Sequence, residues 1–234
     1  MAEKTLEVPI VIPALNPDQR LCEFVSALQN AGFQEILVVN DGSSTTANAV
    51  FQKLAEFSAC RILHHQQNSG KGASLKSAFA DLLERYPGLP GCVTADADGQ
   101  HLPEDVIRVA TALQSQPNAL ILGERDFKNS QIPWKSHIGH VVIQFAFHYA
   151  TGTKLKDSQS GLRGIPATLM KTASALPGNR FEFETIFLKH AIQQKFPIVS
   201  VPVAAIYENK NAGTHFQAFY DSILILKALF RKHT

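Results

Sequence analysis

The amino-acid sequence predicts an α/β fold, with a doubly wound, mostly parallel sheet and flanking helices. Short apolar runs alternate with amphipathic segments through the first half of the 234-residue chain, which is typical of parallel strands joined by crossover helices. Polar, glycine-bearing clusters follow three of the apolar runs, at Asn40–Gly42, Asn68–Gly72 and Asp96–Gly99. Because ligands bind beyond the carboxyl ends of such strands, we expect these clusters to meet in one pocket.

The first half of the chain supplies the clearest elements. Glu7–Ile12 has the apolar character of a strand, and Asn16 and Pro17 supply a cap and a first-turn residue for a helix that Gly32 ends. The apolar run within Glu35–Val39 predicts a buried strand. The following elements are predicted as a helix at about Thr45–Phe57, a strand at Arg61–His64, a helix from about Gly70 to Pro87, a strand at Cys92–Ala95, a helix at Pro103–Leu113 and a strand at Leu120–Leu122.

The second half is less regular. Its predicted elements are a long helix at Ile132–Ala150, a loop or edge strand at Asp157–Gly164, helices at Pro166–Ala175 and Phe183–Gln194, a strand at Ile198–Val203 and an amphipathic C-terminal helix at about Phe216–Arg231. No internal repeat or linker interrupts the sequence, so we predict a single domain over residues 1–234.

Composition excludes several classes of protein. An apolar content of 45% excludes general disorder, and a net charge of +2 is too small to attract nucleic acid by bulk electrostatics. The three cysteines lack metal-site spacing and predict reduced thiols in the cytosol. We find no secretion signal and no run of about 20 apolar residues, so we expect a cytoplasmic protein. A charged fraction of 18% is low for a soluble domain, and indicates either an unusually neutral surface or a surface of which part does not face water.

Two carboxylates, Asp96 and Asp98, flank Ala97 at the end of a predicted strand. Residues i and i+2 of an extended segment point the same way, so both side chains can bind one hard divalent cation. The alternative is that they only cap the following helix. We favour the cation site because the pair lies beside two other polar clusters at the sheet edge.

Those two other clusters each allow a binding role and a structural one. Asp41 can hydrogen-bond a nucleobase, or its turn can serve only as an Asx turn with a helix cap. Lys71, between Gly70 and Gly72, can bind phosphate at a helix N-terminus or face solvent. A Walker phosphate loop is excluded because His65 occupies the position of its first glycine. The first strand is not followed by the GxGxxG pattern, so a dinucleotide-binding dehydrogenase is also disfavoured.

Together, these clusters resemble the motifs of family 2 glycosyltransferases with the GT-A fold. The matching stretches are Ile12–Asn16, Val39–Ser43, Asn68–Ala73, Asp96–Gln100, Gly123–Arg125, Asp157–Arg163 and Val201–Val203. They occur in the family's order, and they look most similar to the branch of dolichyl-phosphate mannose and polyprenyl-phosphate sugar synthases. The resemblance implies a GT-A type sheet, a nucleoside-diphosphate sugar as donor, Mg²⁺ or Mn²⁺ as cofactor, and transfer with inversion.

The resemblance also implies roles for individual residues. Residues 7–125 would form the nucleotide-sugar-binding half and residues 126–234 the acceptor-side half. The expected nucleotide-binding residues are Pro13, Ala14, Asn16, Asp41, Gly42, Lys71, Asp96 and Ala97. The expected metal ligands are Asp96 and Asp98. The expected acceptor-binding residues are Arg125, Lys135, Gln159 and His215. The expected catalytic residues are Asp98, Glu184 and Arg163.

Two features allow more than one interpretation. Glu184 can orient the acceptor or the sugar, or act as a general base if the acceptor is a hydroxyl, or simply complement the dipole of its helix. The C-terminal helix carries apolar and basic residues, so it can lie on an anionic membrane or pack on protein.

We therefore predict a glycosyltransferase whose acceptor is a polyprenyl phosphate. The alternatives are transfer to a saccharide hydroxyl and a non-catalytic nucleotide-sugar-binding protein. The expected partners are a nucleoside-diphosphate sugar, a lipid-phosphate or glycan acceptor and, if the last helix binds lipid, the cytoplasmic face of a membrane. No nucleic-acid partner is expected. The sequence leaves open the base and sugar of the donor and the oligomeric state.

Overall fold

The computed structural model of the protein describes residues 7–125 and 134–204, with only the backbone of 134–142, and five C-terminal residues: Leu224, Leu226, Lys227, Leu229 and Phe230. The strands are β1 (Ile10–Ala14), β2 (Ile36–Asp41), β3 (Cys60–His65), β4 (Gly91–Thr94), β5 (Leu120–Arg125), β6 (Arg163–Pro166) and β7 (Ile198–Val203). The helices are α1 (Gln19–Asn30), α2 (Asn48–Leu54), α3 (Lys71–Arg85), α4 (Pro103–Ser115), α5 (Trp134–Thr151), α6 (Ala167–Met170) and α7 (Glu182–Gln193).

The described strands form one sheet in the order β3-β2-β1-β4-β6-β5-β7. Every neighbouring pair is parallel except the two pairs made by β6, which runs antiparallel to β4 and β5. The predicted doubly wound, mostly parallel sheet is confirmed. The first three strands end at the same level, since Ala14 lies beside Asn40 and Asn40 beside His64. Their carboxyl ends therefore share one edge.

Successive side chains of the buried strands point to opposite faces of the sheet, so the core has two layers. Ile10 and Ile12 of β1 pack on one face of the sheet beneath α1, α2 and α4. Val11 packs on the opposite face, which is covered by α3, α5, α6 and α7. Because both faces are covered, the central strands carry apolar residues at successive positions. This burial accounts for part of the low charged fraction of the chain.

The strand β6 differs from the prediction of a loop or edge strand at Asp157–Gly164. It lies inside the sheet, where Gly164 pairs with Val93 on one side and with Ile121 on the other. A strand of four residues is too short to show a recognisable alternation in the sequence. Its neighbour β4 must also come close, because a Cβ at Gly91 would lie 2.2 Å from the carbonyl oxygen of Ile165.

Several predicted helix ends were wrong. Asp18 caps α1, its carboxylate accepting from the backbone N–H of Arg20, whereas Asn16 lies in the preceding loop with a φ of 47°. The predicted helix at Thr45–Phe57 begins as a 3₁₀ turn and becomes α-helical only over α2. The predicted helix at Pro166–Ala175 is the short α6 followed by a second 3₁₀ turn.

Most of the predicted C-terminal helix at Phe216–Arg231 lies outside the described residues. The five described residues of that stretch are helical. Leu229 is buried, and Leu226 packs against the core layer that contains α5 and α7. Within the part of the chain that the structure describes, no helix combines the length and apolarity needed to cross a membrane.

Candidate active site

Loops from the carboxyl ends of β1 and β2 are joined by hydrogen bonds. Asn16 Oδ1 accepts from the backbone N–H of Ser44 at 2.7 Å and from its hydroxyl at 2.9 Å, and Asn16 N–H donates to Ser43 Oγ at 2.8 Å. Gly42 has a φ of 67°, and a Cβ there would lie 2.3 Å from the backbone of Gln67. The loops after β1, β2 and β3 thus meet in space, and those after β2 and β3 carry two of the three polar clusters that the sequence predicts to lie together.

Asp41 anchors the loop that precedes α3. Its buried carboxylate accepts from the backbone N–H groups of Ser69 at 3.0 Å and Gly70 at 2.7 Å. It also lies 2.7 Å from His65 Nδ1, which must donate because an ionised carboxylate only accepts. His65 Nε2 in turn lies 3.0 Å from the hydroxyl of Ser77. The carboxylate of Asp41 is therefore heavily engaged within the protein.

Lys71 joins two carboxylates from distant parts of the chain. Its Nζ lies 2.6 Å from Asp96 Oδ1 and 2.6 Å from Glu184 Oε2, and all three side chains are largely buried. Burial lowers the pKa of Lys71, but the two carboxylates outweigh it and hold that pKa above its ordinary value. Burial likewise raises the pKa of Asp96, but the charge of Lys71 and then the contact with His101 bring it well below the ordinary value. The three side chains therefore form a charged cluster, the Lys71–Asp96–Glu184 triad.

Asp98 has a different environment from Asp96. Its Oδ1 accepts from the backbone N–H of Gln100 at 3.0 Å. Burial, and then the neighbouring charge of Asp96, raise the pKa of Asp98 above its ordinary value. His101 Nε2 is buried 3.5 Å from Asp96 Oδ2, with no closer hydrogen-bond partner among the described residues. A cation would relieve the repulsion between the two aspartates, which is a physical reason for these oxygens to bind one.

Gly161 brings a second loop against these aspartates. A Cβ at this position would lie 2.3 Å from Asp96 Oδ2. The carbonyl oxygen of Gly161 accepts from the buried hydroxyl of Thr94 at 2.9 Å, which holds the loop to the end of β4. Among the described residues, no three or more His, Cys, Asp or Glu side chains form a preassembled metal site. Asp96 and Asp98 supply hard oxygen ligands, and further ligands would come from substrate oxygens or water.

Arg163 is buried and donates to the backbone. Its Nε, Nη1 and Nη2 donate to the carbonyl oxygens of Ser160, Glu184 and Ser158 at 2.8, 2.8 and 3.1 Å. The guanidinium thereby joins the loop before β6 to the first turn of α7. It holds Glu184 near the pocket through the backbone, whereas the sequence predicts a direct catalytic role.

Arg125 is held by an acidic residue. Its Nε lies 2.6 Å from Asp157 Oδ2 and its Nη2 3.1 Å from Asp157 Oδ1. The side chain of Asp157 is fully buried, and its Oδ1 also accepts from the backbone N–H of Gln159. Two of the predicted acceptor-binding residues, Arg125 and Gln159, therefore share Asp157 as a partner.

The other predicted residues are distributed as follows. Ala14 is buried in the first core layer, so it can offer a ligand only its backbone. Ala97 packs against the same layer. Pro13 pairs with Val39 in the sheet. The side chain of Lys135 and the whole of His215 lie outside the described residues.

Sequence reasoning did not identify His65 and Asp157 as partners of the site. The pairing of β2 with β3 could have identified His65, because His65 and Asp41 are register partners at the ends of these strands. For the second, the signal is that Asp157 begins the stretch Asp157–Arg163, one of those that resemble the family, although no role was assigned to Asp157 itself.

Comparison with known proteins gives a consistent result. The family model described as glycosyl transferase family 2 matches residues 10–174. One relative is the UDP-N-acetylglucosamine–dolichyl-phosphate N-acetylglucosaminyltransferase of Methanococcus voltae, 29% identical over 96% of this chain and 97% of that protein. Another is the polyprenol monophosphomannose synthase of Mycolicibacterium smegmatis, 27% identical over 83% of this chain and 75% of that protein.

Solved structures share the fold. The glucosyl-3-phosphoglycerate synthase from Mycobacterium tuberculosis, in complex with Mn²⁺, UDP-glucose and phosphoglyceric acid, superposes with a TM-score of 0.72, covering 95% of this chain and 78% of that chain at 16% identity. The mannosyl-3-phosphoglycerate synthase from Rubrobacter xylanophilus gives a TM-score of 0.70 at 14% identity, covering 95% of this chain and 72% of that chain.

Proposed function

Because the chain belongs to glycosyl transferase family 2, we propose that it transfers a sugar from a nucleoside-diphosphate sugar to a polyprenyl phosphate. The observation that carries the proposal is the convergence of Lys71, Asp96, Asp98 and Glu184 at the carboxyl edge of the sheet. Two relatives whose names specify a dolichyl-phosphate or polyprenol acceptor support this acceptor class.

The donor binds over the loops after β1, β2 and β4. Pro13, Asn16 and Gly42 line the nucleotide side, and Asp41 acts by holding the loop before α3 in place. Residues 7–125 thus supply the nucleotide half, and residues 126–234 the acceptor half.

The donor diphosphate lies beside Asp96 and Asp98, which together would hold Mg²⁺ or Mn²⁺. When bound there, a divalent cation supplies positive charge that stabilises the departing diphosphate. Lys71 keeps Asp96 ionised and correctly oriented, since its ammonium is 2.6 Å from the carboxylate. Gly161 leaves room for that carboxylate.

The acceptor oxygen attacks the anomeric carbon from the face opposite the diphosphate, so the configuration inverts. A phosphate acceptor arrives ionised and needs no general base. Glu184 fits this requirement, because its carboxylate is already engaged by the ammonium of Lys71 at 2.6 Å. Arg163 acts as a positioning residue through the backbone of Glu184. A saccharide hydroxyl as acceptor would need a base, which this pairing disfavours.

The proposal is tested by transfer assays with UDP- and GDP-sugars in the presence of Mn²⁺, with an undecaprenyl phosphate and the matching undecaprenol as acceptors. We expect sugar to be transferred to the phosphate and not to the alcohol. Asp98→Ala or excess EDTA should abolish transfer, while Glu56→Ala, which removes an exposed carboxylate on another face, should not. Undiminished transfer by Asp98→Ala would refute the cation role. Tight nucleotide binding without turnover on any acceptor would favour a non-catalytic binding protein.

A further inference from the structure

Three aromatic side chains project together from the acceptor half. Phe145 and Tyr149 lie one turn apart on α5 and are 72% and 77% exposed. Phe230 of the C-terminal segment is 54% exposed, and its ring centroid is 6.2 Å from that of Tyr149. We call these three residues the aromatic patch. Large aromatic residues exposed to this extent and grouped together commonly mark an interaction surface.

The two segments that carry the aromatic patch are packed against the core. Phe147 on the same helix is buried in the core layer beneath α7. Leu229, the residue before Phe230, is 1% exposed, and its carbonyl oxygen accepts from Lys189 Nζ of α7 at 2.7 Å. The two segments that carry the patch are therefore anchored side by side, and its exposure does not arise from an unpacked chain end.

Charged residues are distributed unevenly along the chain. Residues 127–156, which include α5, contain four lysines and no aspartate or glutamate. Residues 222–234 contain two lysines and one arginine, again with no carboxylate. These two segments thus hold seven of the 22 basic residues and none of the 20 acidic ones. Within them, Lys154 and Lys227 are exposed. The net charge of +2 thus conceals two sequence segments that are basic and free of carboxylates, and these segments carry the three aromatic residues of the patch.

We propose that the aromatic patch docks on the surface of an anionic phospholipid bilayer. Aromatic rings partition into the interfacial zone of a bilayer, and each nearby lysine adds attraction to anionic headgroups. A second copy of the chain is a poorer partner for the patch, because a two-fold contact through it would bring the exposed Lys227, three residues before Phe230, close to its counterpart in the other copy. The inference rests on the proposed function, in which the acceptor is a lipid phosphate, and it identifies the face that approaches the lipid.

The test is sedimentation of the full chain with vesicles of phosphatidylcholine alone or mixed with phosphatidylglycerol. We expect binding to the anionic vesicles, at least about tenfold stronger than to the neutral ones. The double variant Phe145→Gln/Tyr149→Gln should weaken binding about tenfold or more, as should Lys154→Gln/Lys227→Gln. The matched controls are Tyr86→Gln at the end of α3 and Lys53→Gln on α2, and both should bind like the wild type.

Equal binding by the wild type to both vesicles, or unchanged binding by both double variants, would overturn the proposal. A loss of dimer mass in sedimentation velocity on Phe145→Gln/Tyr149→Gln, with vesicle binding unaffected, would overturn it in favour of a contact between two copies. Transfer to a short, water-soluble prenyl phosphate separates the two hypotheses. If that transfer persists without vesicle binding, only the docking surface is refuted. If vesicle binding depends on the patch but no prenyl phosphate accepts sugar, docking is supported and the proposed function fails.

Discussion

Replacing Lys71 by methionine would leave Asp96 and Glu184 facing each other without their shared counter-charge. The wild-type ammonium lies 2.6 Å from each carboxylate, and the exposed fractions of the three side chains are 15% for Lys71, 29% for Asp96 and 13% for Glu184. Methionine keeps most of the volume of lysine, so the change removes charge and hydrogen bonds rather than opening a large cavity.

The expected loss of stability follows from this burial. Removing one partner of a buried ion pair costs about 3–5 kcal/mol, because the remaining charge is uncompensated. The partial exposure of Asp96 lets water offset some of that cost, so we expect about 3 kcal/mol at neutral pH. With an m-value of about 3 kcal/mol/M in urea, this lowers the unfolding midpoint by about 1 M.

The loss should depend on pH. In the wild type, the pKa of Asp96 is lowered and that of Lys71 is raised. Because its pKa is lowered in the folded state, the Asp96 carboxylate stabilises the fold at pH values above its unfolded pKa. Because its pKa is raised in the folded state, the Lys71 ammonium stabilises the fold at pH values below its unfolded pKa. Between about pH 5 and about pH 8 their contribution is therefore nearly constant. In Lys71→Met, only His101 still opposes the effect of burial, which is the largest influence on Asp96, so we expect the pKa of Asp96 to rise above its unfolded value. The folded variant then binds more protons than the unfolded chain, and its stability increases as the pH falls.

Urea titrations followed by circular dichroism at about pH 5 and about pH 8 measure both effects. Lys71→Met should lose more stability at the higher pH, and adding Glu184→Gln should recover about half of the loss, because only one uncompensated carboxylate then remains. The exposed Lys53→Met is the matched control and should change stability by less than about 0.5 kcal/mol. A loss that is the same at both pH values, or that Glu184→Gln deepens, would refute the charge argument.

Three further outcomes are expected. Gly161→Ala places a Cβ 2.3 Å from Asp96 Oδ2, so transfer should fall at least about tenfold, whereas Gly88→Ala, with nothing within 4 Å, should leave the rate unchanged. Arg163→Met should lower the free energy of unfolding in urea by about 3 kcal/mol or more, since three backbone carbonyls lose their donor. Asp98→Asn should abolish cation-dependent transfer yet raise the melting temperature of the ligand-free protein at neutral pH, because the raised pKa of Asp98 means that its ionised form destabilises the fold. A lowered melting temperature would contradict that cause.

Most of the fold could be predicted from local patterns. The apolar runs of β1, β2 and β3 and the helices between them recur with the periods of buried strands and amphipathic helices, and the polar clusters lie where those strands end. These signals depend on neighbours in sequence, so a single chain displays them. The ends of short elements were harder to predict, as the cap of α1 and the length of α2 illustrate, because competing caps such as Asn16 and Asp18 lie close together.

The residues of the candidate site were found more readily than their partners. The sequence indicates Asp41, Lys71, Asp96 and Glu184 by type and position. It does not indicate that Lys71 pairs with both acids, or that Asp41 pairs with His65. An acidic residue has the same chemistry whether it contacts a ligand or an internal cation.

By itself, the sequence determined the doubly wound sheet, the polar clusters at its carboxyl edge and the family, because burial periodicity and motif order are properties of the chain as written. Only the tertiary structure decided that β6 enters the sheet antiparallel, that Arg163 donates to the backbone of distant loops, and that the rings of Tyr149 and Phe230 lie side by side. Each of these depends on which remote segments come together. Packing and charge compensation in the folded core determine which remote segments come together, and local sequence patterns do not indicate these contacts.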